Sequence, residues 1–277
     1  MSGMPPQSAQ TVTTAADDLA LLVQAAQAAG ALSLDYFQQP VKQWAKDDDS
    51  PVSEADIAVD NLLLKTLRPA RPDYGWLSEE TEDDRKRLTK SRVFVVDPID
   101  GTRAFLKGRP HYCVSLAVVE DGAPIAAALF NPATDEMFTA TNGGGACLND
   151  APITPSSRSD ITGAHLIGHE SLYRHPSWPE PWPDDLTISN INSIAYTVAL
   201  VAAGKMDGSV SLTGKSDWDL AAADLIMREA GGKATTHLGE SYTYNQSTTR
   251  HLNIISGGPA MHAALLAKVE PISRLRR

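Results

Sequence analysis

The run Val93-Phe94-Val95-Val96, continued without a break by Asp97-Pro98-Ile99-Asp100-Gly101-Thr102, constrains this chain more than any other stretch. Four consecutive apolar residues leave no polar face for water, so they predict a short strand covered on both sides. Such a strand needs one layer above it and one below. It delivers Asp97 to its carboxyl end. Pro98 has no N–H to give a ladder, which predicts that the chain turns there. Asp100 then lies three residues on, and both carboxylates can face one point. Gly101 allows close approach of the backbone to a ligand. Residues 102–105 begin a helical turn whose free N–H groups favour an anion. Two carboxylates at such a place repel each other and oppose the anion, and a divalent cation between them removes both conflicts. The competing explanation is turn chemistry alone, with Asp97 opening a turn and Asp100 capping a helix.

The rest of the chain supplies the covering layers. Thr14, with Asp17 three residues later, opens an alanine- and leucine-rich helix to about Phe37. Ser53 caps a second helix over 54–67, ended by Pro69 and Pro72. A short strand over 41–45 and a charged turn over 46–50 lie between them. Asp121-Gly122, flanked by apolar runs at 114–119 and 125–130, predicts a hairpin. Residues 137–140 add a strand, and 143–145 form a glycine turn, a weak phosphate-loop candidate. Residues 152–183 read as irregular connections. Helices follow at 193–203, at 217–230 with Gly231-Gly232 as its stop, and at 261–269, with strands at 208–212 and 251–256. Long helices beside an antiparallel hairpin imply a mixed α/β layered fold, not a purely doubly wound sheet. The 277 residues suit one unit over 15–277 after a loose arm over 1–14, with lobes at about 15–150 and 151–277.

Three further acidic motifs could join the first. Ser216-Asp217-Trp218-Asp219 puts Asp219 in the first turn of a helix, a place that capping alone also explains. Glu79 and Glu80 abut a strand end, at the start of a charged run that is otherwise a solvated loop. Asp56 follows Asp49-Ser50-Pro51-Val52-Ser53 as an ordinary first-turn acid. Arg103 and Lys215 stand beside the acidic motifs and are candidates for a second phosphate. Gly214-Lys215-Ser216 resembles a P-loop ending, but position 209 is Ser209, not glycine, so that reading fails. His165, His169 and His175 are spaced like metal ligands but lack companions. Trp178 and Trp182 alternate with prolines as a packed loop.

The formal charge of −10 argues against a nucleic-acid polymer or an anionic membrane as partner. Two cysteines without a CxxC spacing give no zinc or redox motif, and Cys113 reads as a buried, inert thiol. No basic, apolar leader is visible at the start, so a cytoplasmic location is expected.

In order along the chain, Glu79-Glu80, Asp97 to Thr102, Trp218-Asp219 with Leu220-Ala221-Ala222, and Gly231-Gly232 resemble the inositol monophosphatase superfamily over about residues 16–269. The resemblance implies a layered αβαβα sandwich, a homodimer, and hydrolysis of a small phosphate ester with Mg²⁺. It implies one Mg²⁺ on Glu79, Asp97 and the Ile99 carbonyl, a second on Asp97, Asp100 and Asp219, and a third, weaker ion using Glu79. Oxygen donors without His or Cys suit Mg²⁺ better than zinc. It further implies that Asp56 and Thr102 orient and deprotonate water, with Glu79 among the catalytic groups. Gly101 and Thr102 then hold phosphate oxygens through their N–H groups, and Asp219 also meets the substrate. Asp49-Ser50-Pro51-Val52 and Leu77-Ser78-Glu79-Glu80 are similar to the bisphosphate nucleotidase branch, which acts on 3′-phosphoadenosine 5′-phosphate. Arg103-Ala104-Phe105 resembles the histidinol-phosphatase branch instead, while Trp218-Asp219 departs from it. The expected substrates, in order, are the bisphosphate, inositol 1-phosphate and histidinol phosphate. A phosphatase-like regulatory binding protein is the reading from outside enzymology.

Overall fold

The computed structural model describes residues 13–46 and 50–275. The expected arm, save Thr13 and Thr14, and Asp49 of the charged turn lie outside those residues. Helix α1 (Ala15–Tyr36) opens on a capping box in which Thr14 and Asp17 bond each other's backbone N–H. Strands β1 (Gln43–Ala45) and β2 (Pro51–Ser53) form a hairpin that leads into helix α2 (Glu54–Ala70), capped reciprocally by Ser53 and Asp56. Pro69 does not end this helix; it sits within its final turn. Only one helical hydrogen bond is lost there, and the helix ends one residue later, at Ala70.

A seven-stranded sheet follows in simple sequential order: β3 (Gly75–Ser78), β4 (Arg92–Asp100), β5 (Cys113–Glu120), β6 (Ala123–Asn131), β7 (Glu136–Thr141), β8 (Gly145–Leu148) and β9 (Ala151–Pro152). Only β3 and β4 run parallel. Helix α3 (Thr102–Phe105) links β4 to β5. Asp121 and Gly122 both take positive φ, 50° and 83°, and close the expected hairpin between β5 and β6.

The second sheet holds β10 (His165–Ile167), β11 (Thr187–Ser189), β12 (Gly208–Ser211), β14 (Lys233–Thr235) and β16 (Ile254–Gly257), in the order β11-β10-β12-β16-β14. The segment over 152–183, expected to be irregular, thus supplies a strand with neighbours on both sides, and the turn of helix α4 (Glu170–Tyr173) after it. A three-residue strand is too short to show periodicity. The strand expected over 251–256 divides in two. Its first part, β15 (Arg250–His251), pairs with β13 (Lys215–Ser216), and its second is β16.

The layers follow from the alternation in β4. Phe94 and Val96 pack with Leu22, Ala26, Val59 and Leu63 of α1 and α2. Val93 and Val95 pack on the opposite face with helices α5 (Ile194–Ala202) and α6 (Asp217–Glu229). Ile167 and Ile254 of the second sheet join this same core. Leu166, Val210 and Ile255 face outward, against Met261, Leu265 and Val269 of helix α7 (Pro259–Leu275) and against Trp178 and Trp182. The result is a helix–sheet–helix–sheet–helix sandwich, the layering that the sequence implied.

The expected turn at Pro98 does not occur. Strand β4 continues to Asp100, and its register shifts: Asp97 faces Ser115 while Asp100 faces Cys113. Three steps on β4 match two on β5, so Pro98 and Ile99 sit in a β-bulge. A bulge leaves a residue outside the ladder, which is where a strand tolerates proline.

Candidate active site

The bulge decides where the acids point. In a regular strand, residues three apart face opposite sides of the sheet. The extra residue re-aims the end of β4, and ligand atoms of Asp97, Asp100 and Asp219 come within 4.8 Å of one another. Asp219 arrives from the first turn of α6, where its Oδ2 accepts the Ser216 N–H at 2.6 Å. Asp100 accepts from Ser193 Oγ at 2.5 Å and from the Ala195 N–H at 2.6 Å, so it caps α5. Asp97 accepts the Ile99 N–H through Oδ1 at 3.1 Å, while its buried Oδ2 has no hydrogen-bond partner.

Burial, and then the charges of Glu79, Asp100 and Asp219, push Asp97 well above the ordinary carboxylate range. Burial pushes Asp100 up to about 6, against the pull of its bonds to Ser193 and Ala195. Burial and the Asp100 charge push Asp219 up to about 7. A buried acceptor without a donor, among crowded carboxylates that resist ionising, fits a hard divalent cation.

Glu79 lies next to this group, and its charge acts on all three aspartates. Its carboxylate is engaged by Lys46, whose Nζ also meets Glu80, at 2.9 and 2.7 Å. Glu80 is pushed up to about 7 by burial, opposed by Lys46. Asp56 is buried, with Oδ2 accepting from the Ser53 N–H and hydroxyl. Its Oδ1 faces Thr102 Oγ1 at 3.0 Å, and the same hydroxyl lies 3.2 Å from the Ile99 carbonyl. Burial raises Asp56 above its usual range. Gly101 has φ 97°, and a Cβ there would lie 2.9 Å from the His111 carbonyl and 3.0 Å from Ser193. No other residue fits this position without movement.

Lys215 is half-buried, its Nζ held by Thr213 Oγ1 at 2.7 Å. Burial lowers its pKa against the attraction of Asp219 and Asp100. It lines a cavity of about 930 Å³ together with His169, Trp178, Ile191, Leu212 and Thr213. Ile194 also lines this cavity, and its N–H faces Asp100 at 3.4 Å, so cavity and acidic group adjoin. Arg103 is exposed on α3 and is not among the cavity residues.

The three histidines do not gather; each bonds a nearby serine or its backbone. The N–H groups of Gly143 and Gly145, the weak phosphate-loop candidate, bond the Glu229 carboxylate at 2.9 Å each. Lys46 and Ser193 were not singled out from the sequence. Ser193 is read from the sequence only as the first residue of a helix; the structure makes it the N-cap, and its bond to a residue 93 positions away has no local signal.

A family model described as the inositol monophosphatase family matches residues 10–274. An inositol-1-monophosphatase of Mesorhizobium japonicum is 34% identical, the match covering 92% of this chain and 97% of that protein. A histidinol-phosphatase of Chlorobaculum parvum is 31% identical over 91% and 95%. The crystal structure of the extragenic suppressor protein suhB from Bartonella henselae superposes with a TM-score of 0.77 at 30% identity, covering 91% of this chain and 98% of that one.

Proposed function

The chain belongs to the inositol monophosphatase family of phosphate-monoester hydrolases, and on that premise we propose that it is a Mg²⁺-dependent phosphomonoesterase whose preferred substrate carries a second phosphate, 3′-phosphoadenosine 5′-phosphate first among candidates. The partnerless Asp97 Oδ2 inside the acidic group carries the metal part of this reading. Asp97, Asp100 and Asp219 would hold the ion, with Glu79 and the Ile99 carbonyl beside them. When bound, the cation lowers the pKa of a water and neutralises charge on phosphate and leaving oxygen.

The chain's own groups act around it. Thr102 donates its hydroxyl proton to Asp56 Oδ1, which leaves its oxygen lone pairs to accept from a water. A proton leaving that water passes to Thr102 Oγ1 as the Thr102 proton passes to Asp56. Burial makes Asp56 a stronger base than an exposed aspartate. The N–H groups of Gly101 and Thr102 open a helical turn and hold phosphate oxygens.

Substrate choice rests on the adjoining cavity. It offers one cation, Lys215, and apolar walls that include Leu212, Ile191 and Trp178. Its volume exceeds what a lone sugar-sized alcohol needs, and a flat heterocycle with a second anion suits it. The names of the relatives favour inositol 1-phosphate or histidinol phosphate as the second reading. Phosphate release with Mg²⁺ on all three compounds tests this. The highest kcat/KM is expected on the bisphosphate; a bisphosphate that is the poorest substrate overturns the ranking. Release from none of them favours a regulatory binding protein. The homodimer and cytoplasmic location belong to the same proposal. No helix among the described residues is long and apolar enough to cross a membrane.

A further inference from the structure

Asp60 lies one helical turn beyond Asp56 on α2 and is buried, 6% exposed. Its two carboxylate oxygens take two hydroxyl protons: Ser78 Oγ at 2.5 Å on Oδ1 and Thr81 Oγ1 at 2.6 Å on Oδ2. Ser78 and Thr81 bracket Glu79-Glu80, so one side chain pins both ends of that pair. Within the segment, the Glu80 N–H meets Ser78 Oγ at 3.4 Å, and the Glu79 N–H donates to the Val96 carbonyl at 3.2 Å, next to Asp97. Both hydroxyls that bond Asp60 are donors from the same short segment. Glu79 is the acid whose charge reaches Asp97, Asp100 and Asp219 together. A segment after a strand end would otherwise wander, and an ångström of drift in an acid matters to a metal site.

We infer that Asp60 is a positioning residue: through Ser78 and Thr81 it fixes the Glu79-Glu80 segment at the distance from Asp97 that sets the affinity for the divalent cation. A carboxylate accepts from both hydroxyls at once through its two oxygens, and its charge strengthens both bonds. Asparagine offers one accepting oxygen, so the second hydroxyl must turn round to accept from the amide, and both bonds lose their charge assistance.

The inference rests on reading the acidic group as a metal centre, and the experiment separates the two. Mg²⁺ is titrated into metal-free protein, following both the rise in Tm and phosphate release, for wild type, Asp60→Asn, Thr81→Val, Thr81→Ser and Asp97→Asn. Thr81→Val and Asp60→Asn are expected to raise the half-saturating Mg²⁺ at least threefold in both readouts while kcat at saturating Mg²⁺ stays within twofold. Thr81→Ser, which keeps the hydroxyl, is expected to match wild type. Thr81→Val keeps the shape of the side chain, so it stays informative should Asp60→Asn fail to fold. An unchanged Mg²⁺ midpoint in Thr81→Val, or an equal shift in Thr81→Ser, overturns the positioning role. A Mg²⁺-induced rise in Tm that persists in Asp97→Asn overturns the metal centre itself.

Discussion

Replacing Asp219 by Asn removes a charge from the acidic group and leaves a side chain of the same shape. The amide oxygen can still accept the Ser216 N–H that opens α6. Asp219 has a folded-state pKa of about 7 against 3.8 unfolded, because of burial and the Asp100 charge. A raised carboxyl pKa costs the folded state nothing below the unfolded value. The cost grows as pH climbs through 3.8 and is complete above about 7. Each pKa unit corresponds to about 1.4 kcal/mol, so the ionised group costs up to about 4 kcal/mol at pH 8. Water reaching the half-buried carboxylate screens part of this, which leaves about 2–4 kcal/mol. Asp219→Asn should therefore stabilise the metal-free protein at pH 8, the reverse of most substitutions at a buried polar site. For a chain of 277 residues the gain corresponds to about 3–7 °C in Tm. At pH 5 it falls below about 2 kcal/mol. Scanning calorimetry in a chelator at both pH values measures it, and added Mg²⁺ should stabilise wild type far more than the variant. A variant less stable than wild type in chelator at pH 8, or equally stabilised at both pH values, refutes the electrostatic account.

Thr102→Ala should lower kcat by about 10²- to 10⁴-fold, the usual weight of a lost proton relay, with the Mg²⁺ midpoint unchanged. A shifted midpoint with little loss of kcat would assign Thr102 to metal binding instead. Lys215→Ala should raise KM on a bisphosphate about tenfold or more and leave KM on a monophosphate of the same nucleoside within twofold. Equal effects on both would place Lys215 outside the second-phosphate contact.

What was legible in the sequence was local. The capping residues of α1 and α2, the Asp121-Gly122 hairpin and the doubly buried β4 each depend on neighbours a few residues away, and each formed as the spacing predicts. The acids of the candidate site were grouped through the resemblance of their motifs taken together; singly, Asp219 and Asp56 read equally well as ordinary first-turn acids. Pro98 was misread because the effect of a proline in a strand depends on the register of the partner, and that partner is β5. Arg87, within a charged run that reads as solvated, is buried with its guanidinium on Asp83, Asn245 and the Gln246 carbonyl. Its last two contacts lie across the chain, as do those of Lys46 to Glu79 and Ser193 to Asp100. No period or motif marks a contact of that kind. Strand β10 was missed for a different reason: three residues show too little alternation to stand out.

Helix α6 comes from the final third of the chain yet packs into the core beneath the first sheet. A ribosome therefore exports Asp97 and Asp100 about 120 residues before Asp219. At ordinary elongation rates that interval is on the order of ten seconds. The emerging sheet passes through that time with two of the three carboxylates and no closing partner. The acidic group is complete only when α6 seats, so a chain truncated before residue 219 lacks one of its three clustered carboxylates.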